Sequence, residues 1–310
     1  GNAVPAPDGT MLDILRVDNL QVPEKAAIVR ISKDGSTASF DPASGFIDLP
    51  GSAKKFSIRK DPAGEGYWTL ASIIPDRHAD PSLGRPASIR NTLALLHSPD
   101  LRRWEIRSVL LYHPDIAKHG FQYVDWQFDG DDLIAACRTA WDDAEGGAHN
   151  NHDANFLTFH RWKNFRTLSR KDDVPMPELP SLKHETAFLI VKATAFEIGK
   201  LSDGEKAFSN RSYVWEEVPS EVSGRAFVRT GGGEKVAIEV TAKEALTLNI
   251  ATSPQQPGAA LQSWTATGRK FRYTDKAKTE MEVFTRPLAK DESVQLPRGN
   301  WTGSVLILED

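Results

Sequence analysis

The sequence predicts an all-β chain: a partial β-propeller of about three four-stranded blades, followed by a β-sandwich. Three observations lead there. The 310 residues include 22 Gly and 19 Pro, with Trp, Tyr, Phe, Thr and Val spread through short runs between them. Windows with helical spacing of apolar residues are almost absent, and Ala117 to Gly120 and Pro219 to Val222 are single turns at best. The strand and turn pattern also repeats. Third-to-fourth-strand turns begin near Ser32, Ser98 and Phe159, about 60–66 residues apart, which is the self-similarity of propeller blades.

In chain order, Asn2 to Pro7 reads as a strand, Asp8-Gly9 as its turn and Met11 to Val17 as a second strand ending near Arg16. Ala26 to Ser32 is the third strand, and the turn Ser32 to Thr37 leads to a fourth through Phe40. The pattern restarts with Lys55 to Lys60, Tyr67 to Ile73, a Pro/Arg loop from Ile74 to Arg90, Asn91 to His97 and the turn Ser98 to Trp104. It restarts again with Phe121 to Phe128, the Asp129-Gly130 turn, Leu133 to Cys137 ending on Arg138, and Asn155 to Arg161. A fourth strand is expected after Phe165. Three blades do not close a ring, since propellers typically have about four to eight. The missing blades are therefore expected from upstream sequence or from a second chain.

The composition then turns to charge and Pro (KDDVPMPELP), which suggests blades over 1–172, a linker over 173–182 and a sandwich over 183–310. Within the last, Ala187 to Phe196, Lys235 to Thr241, Ala245 to Ala251, Met281 to Phe284 and Ser304 to Leu308 alternate as strands. Gly231 to Gly233 and Pro297 to Gly299 read as turns. Trp215, Trp264 and Trp301 suit core packing better than sugar stacking.

The turn Ser32-x-Asp34-Gly35-x-Thr37 followed by Phe40 resembles the Asp-box of sialidases, with Gly one place early and Phe in place of Trp. Ser98-x-Asp100-Leu101-x-x-Trp104 resembles its looser form in five-bladed glycosidase propellers, and Pro7-Asp8-Gly9 before a strand ending in Arg16 looks like a sialidase blade opening. The resemblance covers residues 1–170 and implies a glycoside hydrolase propeller. It also implies that Asp34 and Asp100 are turn formers on the face away from the site. The second half resembles accessory sandwich domains of secreted carbohydrate-active enzymes.

Composition excludes several classes. A net charge of -4 and a pI near 6.1 give no basic field for nucleic acid. No apolar run approaches the roughly 20 residues that span a bilayer. Cys137 is the single cysteine, set in an apolar run, so it reads as a small core residue without a disulfide partner in the chain. No signal sequence precedes Gly1-Asn2, so the chain reads as a mature form or a fragment. The family resemblance places the protein outside the cytoplasm, secreted or periplasmic.

Blade geometry gathers the second-to-third-strand loops and the entries to first strands at one face. Arg16 and Arg138 end equivalent strands, while Arg85 and Arg90 lie in the corresponding middle loop. Arg16, Arg90 and Arg138 are the expected anion clamp, because guanidinium groups pair with carboxylates through two parallel hydrogen bonds. His119, His149, Asn155 and Trp141 are expected beside them as substrate contacts. Asp153, His152, Tyr123, Asp125 and Asp142 are the candidate catalytic groups, with His113, Asp115, Asp143 and Glu145 nearby. The spacing His149-x-x-His152-Asp153 fits no zinc signature, and no metal or other cofactor is expected. Trp126 reads as core.

These residues suit three functions. The first is cleavage of a glycosidic bond in a uronate- or sialate-containing glycan by carboxylate acid/base chemistry. The second is a propeller lyase, in which His or Tyr removes the proton α to a uronate carboxylate neutralised by arginine. The third is a glycan-binding or assembly protein that keeps the propeller without the chemistry.

Overall fold

A computed structural model describes residues 2–20, 22–64, 66–79, 83, 85–233, 236–254, 261–298 and 301–308. The protein is all-β and divides into two compact units, Gly1–Glu178 and Leu179–Asp310. Among the described residues no helix is long and apolar enough to cross a membrane.

The first unit contains three antiparallel sheets, the blades of a partial propeller. In the first, β1 (Asn2–Pro5), β2 (Met11–Arg16), β3 (Lys25–Ile31) and β4 (Ala38–Phe40) pair in chain order. A short β5 (Phe46–Asp48), absent from the sequence reading, pairs with the first half of β3 while β4 holds the second half. The second sheet runs β6 (Ser57–Lys60), β7 (Tyr67–Ser72), β8 (Thr92–Ser98) and β9 (Glu105–Tyr112). The third runs β10 (Gly120–Asp129), β11 (Asp132–Ala140) and β12 (Phe156–Trp162).

Period-2 alternation explains how these sheets stack. On β7, Tyr67 and Ala71 join Val4, Leu12, Ile14 and Ile28 of the first sheet, while Trp68 and Leu70 join Phe121, Trp126, Leu133 and Cys137 of the third. The middle sheet is therefore apolar on both faces. Each fully buried Leu or Ile there contributes about 1.5–3 kcal/mol. Cys137 is fully buried, and burial pushes its thiol above the usual range, as suits a core residue.

The expected turn formers form turns. The Asp34 carboxylate accepts from the Ser32 hydroxyl at 2.6 Å and the Ser36 hydroxyl at 2.8 Å, and Gly35 takes φ +73°. Asp100 accepts from the backbone of Arg102 and Arg103 at 2.9 and 2.8 Å.

The expected fourth strand of the third sheet does not form. Asn164 turns left-handed, and two single 3-10 turns follow at Phe165–Thr167 and Arg170–Asp172. Phe165 is driven inward against Trp68 and Phe128, and Ser169 and Asp172 close a capping box. The Asp173 carboxylate then takes the Val109 N–H of β9 at 2.8 Å. Val174 and Met176 pack against the core shared by the first two sheets, so these residues of the expected linker lie on the first unit.

The second unit contains β13 (Leu182–Glu185), β14 (Leu189–Ala193), β15 (Glu197–Lys200), β16 (Trp215–Glu216), β17 (Ala226–Arg229), β18 (Ile238–Ala242), β19 (Leu246–Thr252), β20 (Thr265–Tyr273), β21 (Glu280–Leu288), β22 (Ser293–Gln295) and β23 (Ser304–Ile307). A four-stranded sheet, β13-β14-β18-β22, faces a seven-stranded sheet, β15-β17-β23-β19-β21-β20-β16, across a core of Val191, Val240, Ile250 and Leu306. The larger sheet has a second core on Trp215, Phe271, Tyr273 and Phe208. Trp215 and Trp264 are buried, and Trp301 packs on Gly232 and Gly233. Lys235 and Gly299, the ends of an expected strand and an expected turn, lie outside the described residues.

Candidate functional site

Arg16 ends β2, Arg90 precedes β8 and Arg138 lies on β11, so three sheets each deliver one guanidinium. The three are electrostatically coupled. Burial pulls Arg90 below the usual arginine range, Arg16 and Arg138 push it the same way, and Tyr123 acts against them. Arg90 is buried, whereas Arg16 and Arg138 are exposed and open to a ligand.

Tyr123 lies at a bulge in β10. Its pairing with β11 slips between Gln122 and Asp125, and Tyr123 takes φ 51°, a conformation seldom adopted by a residue with a Cβ. The Arg138 guanidinium lies 5.1 Å and the Lys55 amine 5.9 Å from the centre of its ring, and its hydroxyl stands 3.4 Å from His152 Nε2.

The loop carrying His152 is fixed from below. The buried Gln122 amide donates to the carbonyls of Asn151 and His152 at 3.1 and 2.6 Å, and Arg138 donates to His152 O at 3.4 Å. Asn151 donates from its side chain to Ser88 O at 2.8 Å and Ile116 O at 2.6 Å, joining the Arg90 loop to the segment before β10. Gly120 permits this closeness: a Cβ there would stand 2.7 Å from Asn151 O and 3.2 Å from Arg90 Cβ.

A second cluster lies on the same loops. His113 and His119 stack at 3.4 Å, with Trp141 edge-on to both. Buried His119 faces Asp115 at 2.9 Å through Nδ1 and Asp142 at 3.3 Å through Nε2. Burial and the neighbouring His119 pull His113 below the usual imidazole range. Burial would raise Asp115, but His119 and the amides of Ala117 and Lys118 hold it below the usual carboxylate range. Ligand atoms of His113, His119 and Asp142 lie within 4.8 Å of one another, close enough to share a cation. The face-to-face stack opposes that use, because one ion cannot lie in the planes of both rings. The Asp115 N–H into His113 Nδ1, at 3.1 Å, also leaves the proton of a neutral His113 on Nε2.

The other expected residues are placed as follows. Asp125 pairs with Arg59 at 3.3 Å. Asp153 accepts from Asn150 and lies 3.6 Å from His152 Nδ1. Asn155 is occupied in closing its own loop, bonding Trp141 N and O at 3.0 and 2.9 Å and Asp143 at 2.7 Å. His149 is exposed, without a hydrogen bond or ion pair among the described residues. Arg85 pairs with Asp18. Trp126 is core, donating to Ser57 O at 2.9 Å. Sequence reasoning missed Lys55, Arg59, Gln122 and Asn151. The tetrad HNNH could have marked the turn at Asn150, since asparagine side chains bond nearby backbone in turns, as Asn150 does with the His152 and Asp153 amides.

No protein-family model and no curated protein matches the sequence. Among solved structures, it is similar to a β-glucuronidase from glycoside hydrolase family 2 (12% identity, TM-score 0.31), covering 92% of this chain and 32% of that one. It is also similar to the GH93 α-L-arabinofuranosidase of Fusarium graminearum (10% identity, TM-score 0.34), covering 99% of this chain and 92% of that one. The chain thus spans about a third of the glucuronidase's length. Likenesses of this degree carry no argument about activity.

Proposed function

We propose that the Arg16, Arg90, Arg138 and Tyr123 face binds the carboxylate of a uronate-bearing glycan and that the protein cleaves the glycosidic bond beside it by elimination. The observation that carries this reading is the tyrosine with Arg138 and Lys55 near its ring and His152 at its hydroxyl. Arginines that neutralise a uronate carboxylate acidify the proton at its α carbon. Tyr123 and His152 are placed to accept that proton and to return one to the leaving oxygen. The electron pair of the broken C–H bond becomes the new C=C bond as the C–O bond breaks, so no water enters the product.

Hydrolysis is the second reading. It needs two carboxyl groups across the bond, about 5–5.5 Å or 6.5–9.5 Å apart. Asp125 is paired with Arg59 and Asp153 with Asn150, which leaves exposed Asp142, beside His119, as the carboxylate that favours it. The first sheet exposes Phe40 and Phe46, and the third exposes Leu157 and Phe159. The proposal includes further blades packing on these two faces to complete the ring.

The test is incubation with uronate-containing oligosaccharides. Elimination gives an unsaturated product that absorbs in the ultraviolet, and Tyr123→Phe is expected to lower its formation by ~100-fold or more. Cleavage without absorbance assigns hydrolysis instead.

A further inference from the structure

Glu24 and Lys54 form a buried ion pair that neither reaction needs. Their side chains are 2% and 1% exposed, and Lys54 Nζ lies 2.7 Å from Glu24 Oε1. The other Glu24 oxygen accepts the Gly51 N–H at 2.6 Å, and Oε1 also faces the Ala53 N–H at 3.2 Å. Lys54 spends a further donor on Pro86 O at 3.1 Å. Pro86 opens the 3-10 turn Pro86–Ser88 that leads to Arg90, and Glu24 lies on the segment between Arg16 and β3.

The contacts thus join three pieces of chain: the segment after Arg16, the turn from Leu49 to Lys54, and the turn before Arg90. The middle piece has no slack. Gly51 takes φ +83°, and a Cβ there would stand 2.7 Å from Ala71 Cβ on β7. Burial pulls the Lys54 amine below the usual lysine range, Glu24 opposes this, and Arg90 and Arg16 add to it. The pair is therefore within electrostatic reach of both arginines. A buried ion pair is a weak source of net stability compared with an apolar pair of the same shape. The geometry it imposes explains its presence better.

We infer that Glu24 and Lys54 are positioning residues that set the separation of Arg16 and Arg90, and thereby the preference of this face for anionic over neutral glycans. The second clause rests on the carboxylate reading above. The first does not.

The test uses the full chain and the neutral, near-isosteric double variant Glu24→Gln/Lys54→Met, with Glu24→Gln alone as the companion. Hydrogen exchange at the Gly51 and Ala53 amides, and at the Ile89 amide, which donates to Pro86 O at 3.2 Å, reads the positioning without any ligand. Exchange about tenfold faster or more at these amides is expected in both variants, with rates in β7 and β8 unchanged. Wild-type rates at all three overturn the inference. The ligand arm compares a glucuronate-containing oligosaccharide with its carboxyl-reduced counterpart. Wild-type preference for the acid, reduced about tenfold in the double variant, is expected. A preference retained in full by a folded double variant overturns the specificity role. A wild type indifferent to the carboxyl group overturns the carboxylate reading and with it the specificity role; exchange still decides the positioning.

Discussion

Asp61 shows what a single carboxylate does in this protein. It is buried between the second and third sheets and receives two bonds from Arg166 at 2.8 and 2.7 Å, with Trp68 Nε1 at 3.0 Å and Ala63 N at 2.9 Å. The Arg166 hydrogen bonds lower its pKa to about 2; burial opposes them, and Ala63 and Trp68 add to them. A depressed folded pKa stabilises the protein above the unfolded value of about 3.9 and loses that contribution as pH falls through about 2. Asp61→Asn is expected to destabilise the chain by about 2 kcal/mol at pH 7 and to cost little near pH 2. Urea unfolding at the two pH values checks this, and an equal loss at both would contradict it. The Asp61–Arg166 pair was not legible in the sequence, because its partners lie 105 residues apart. Asp34 and Asp100 were legible, because a turn former declares itself through its immediate neighbours. The Glu24–Lys54 pair was invisible for the opposite reason: each residue sits in a polar stretch that reads as solvated, and only tertiary packing buries it.

At the scale of elements, the alternation of β11 and the apolar runs of β7 and β8 announced sheets with buried faces, and the repeat of the turn signals announced how many. The fourth strand of the third sheet failed because local pattern competes with tertiary partners. Phe165 and Arg166 find Trp68 and Asp61 instead of a ladder. The bulge in β10 was equally hidden: no Gly or Pro marks Tyr123, although its ring lies beside Arg138 and Lys55. β12 ends the third sheet with Leu157 75% and Phe159 68% exposed, on the same face as Ala136 and Arg138. Replacing both with serine is expected to change stability by no more than about 0.5 kcal/mol each, since strongly exposed side chains contribute little. It is also expected to lower binding of a hydrophobic dye. A drop of several degrees in Tm would show that this face is already covered in the chain.

At the scale of the whole molecule, the chain divides into its two compact units between Glu178 and Leu179. Of the expected site residues, Arg16, Arg138 and Tyr123 act electrostatically on Arg90, and His152 stands at the Tyr123 hydroxyl. Asn155 and Asp125 are engaged elsewhere by partners that no spacing rule reveals. Carboxylate recognition by this face is the central proposal. Titration calorimetry at low salt, with a uronate oligosaccharide and its carboxyl-reduced form, tests it most directly. The acid is expected to bind at least about tenfold more tightly, added salt to weaken its binding, and Arg138→Gln to remove the difference. Equal affinity for the two ligands, or a preference untouched by Arg138→Gln, would contradict it.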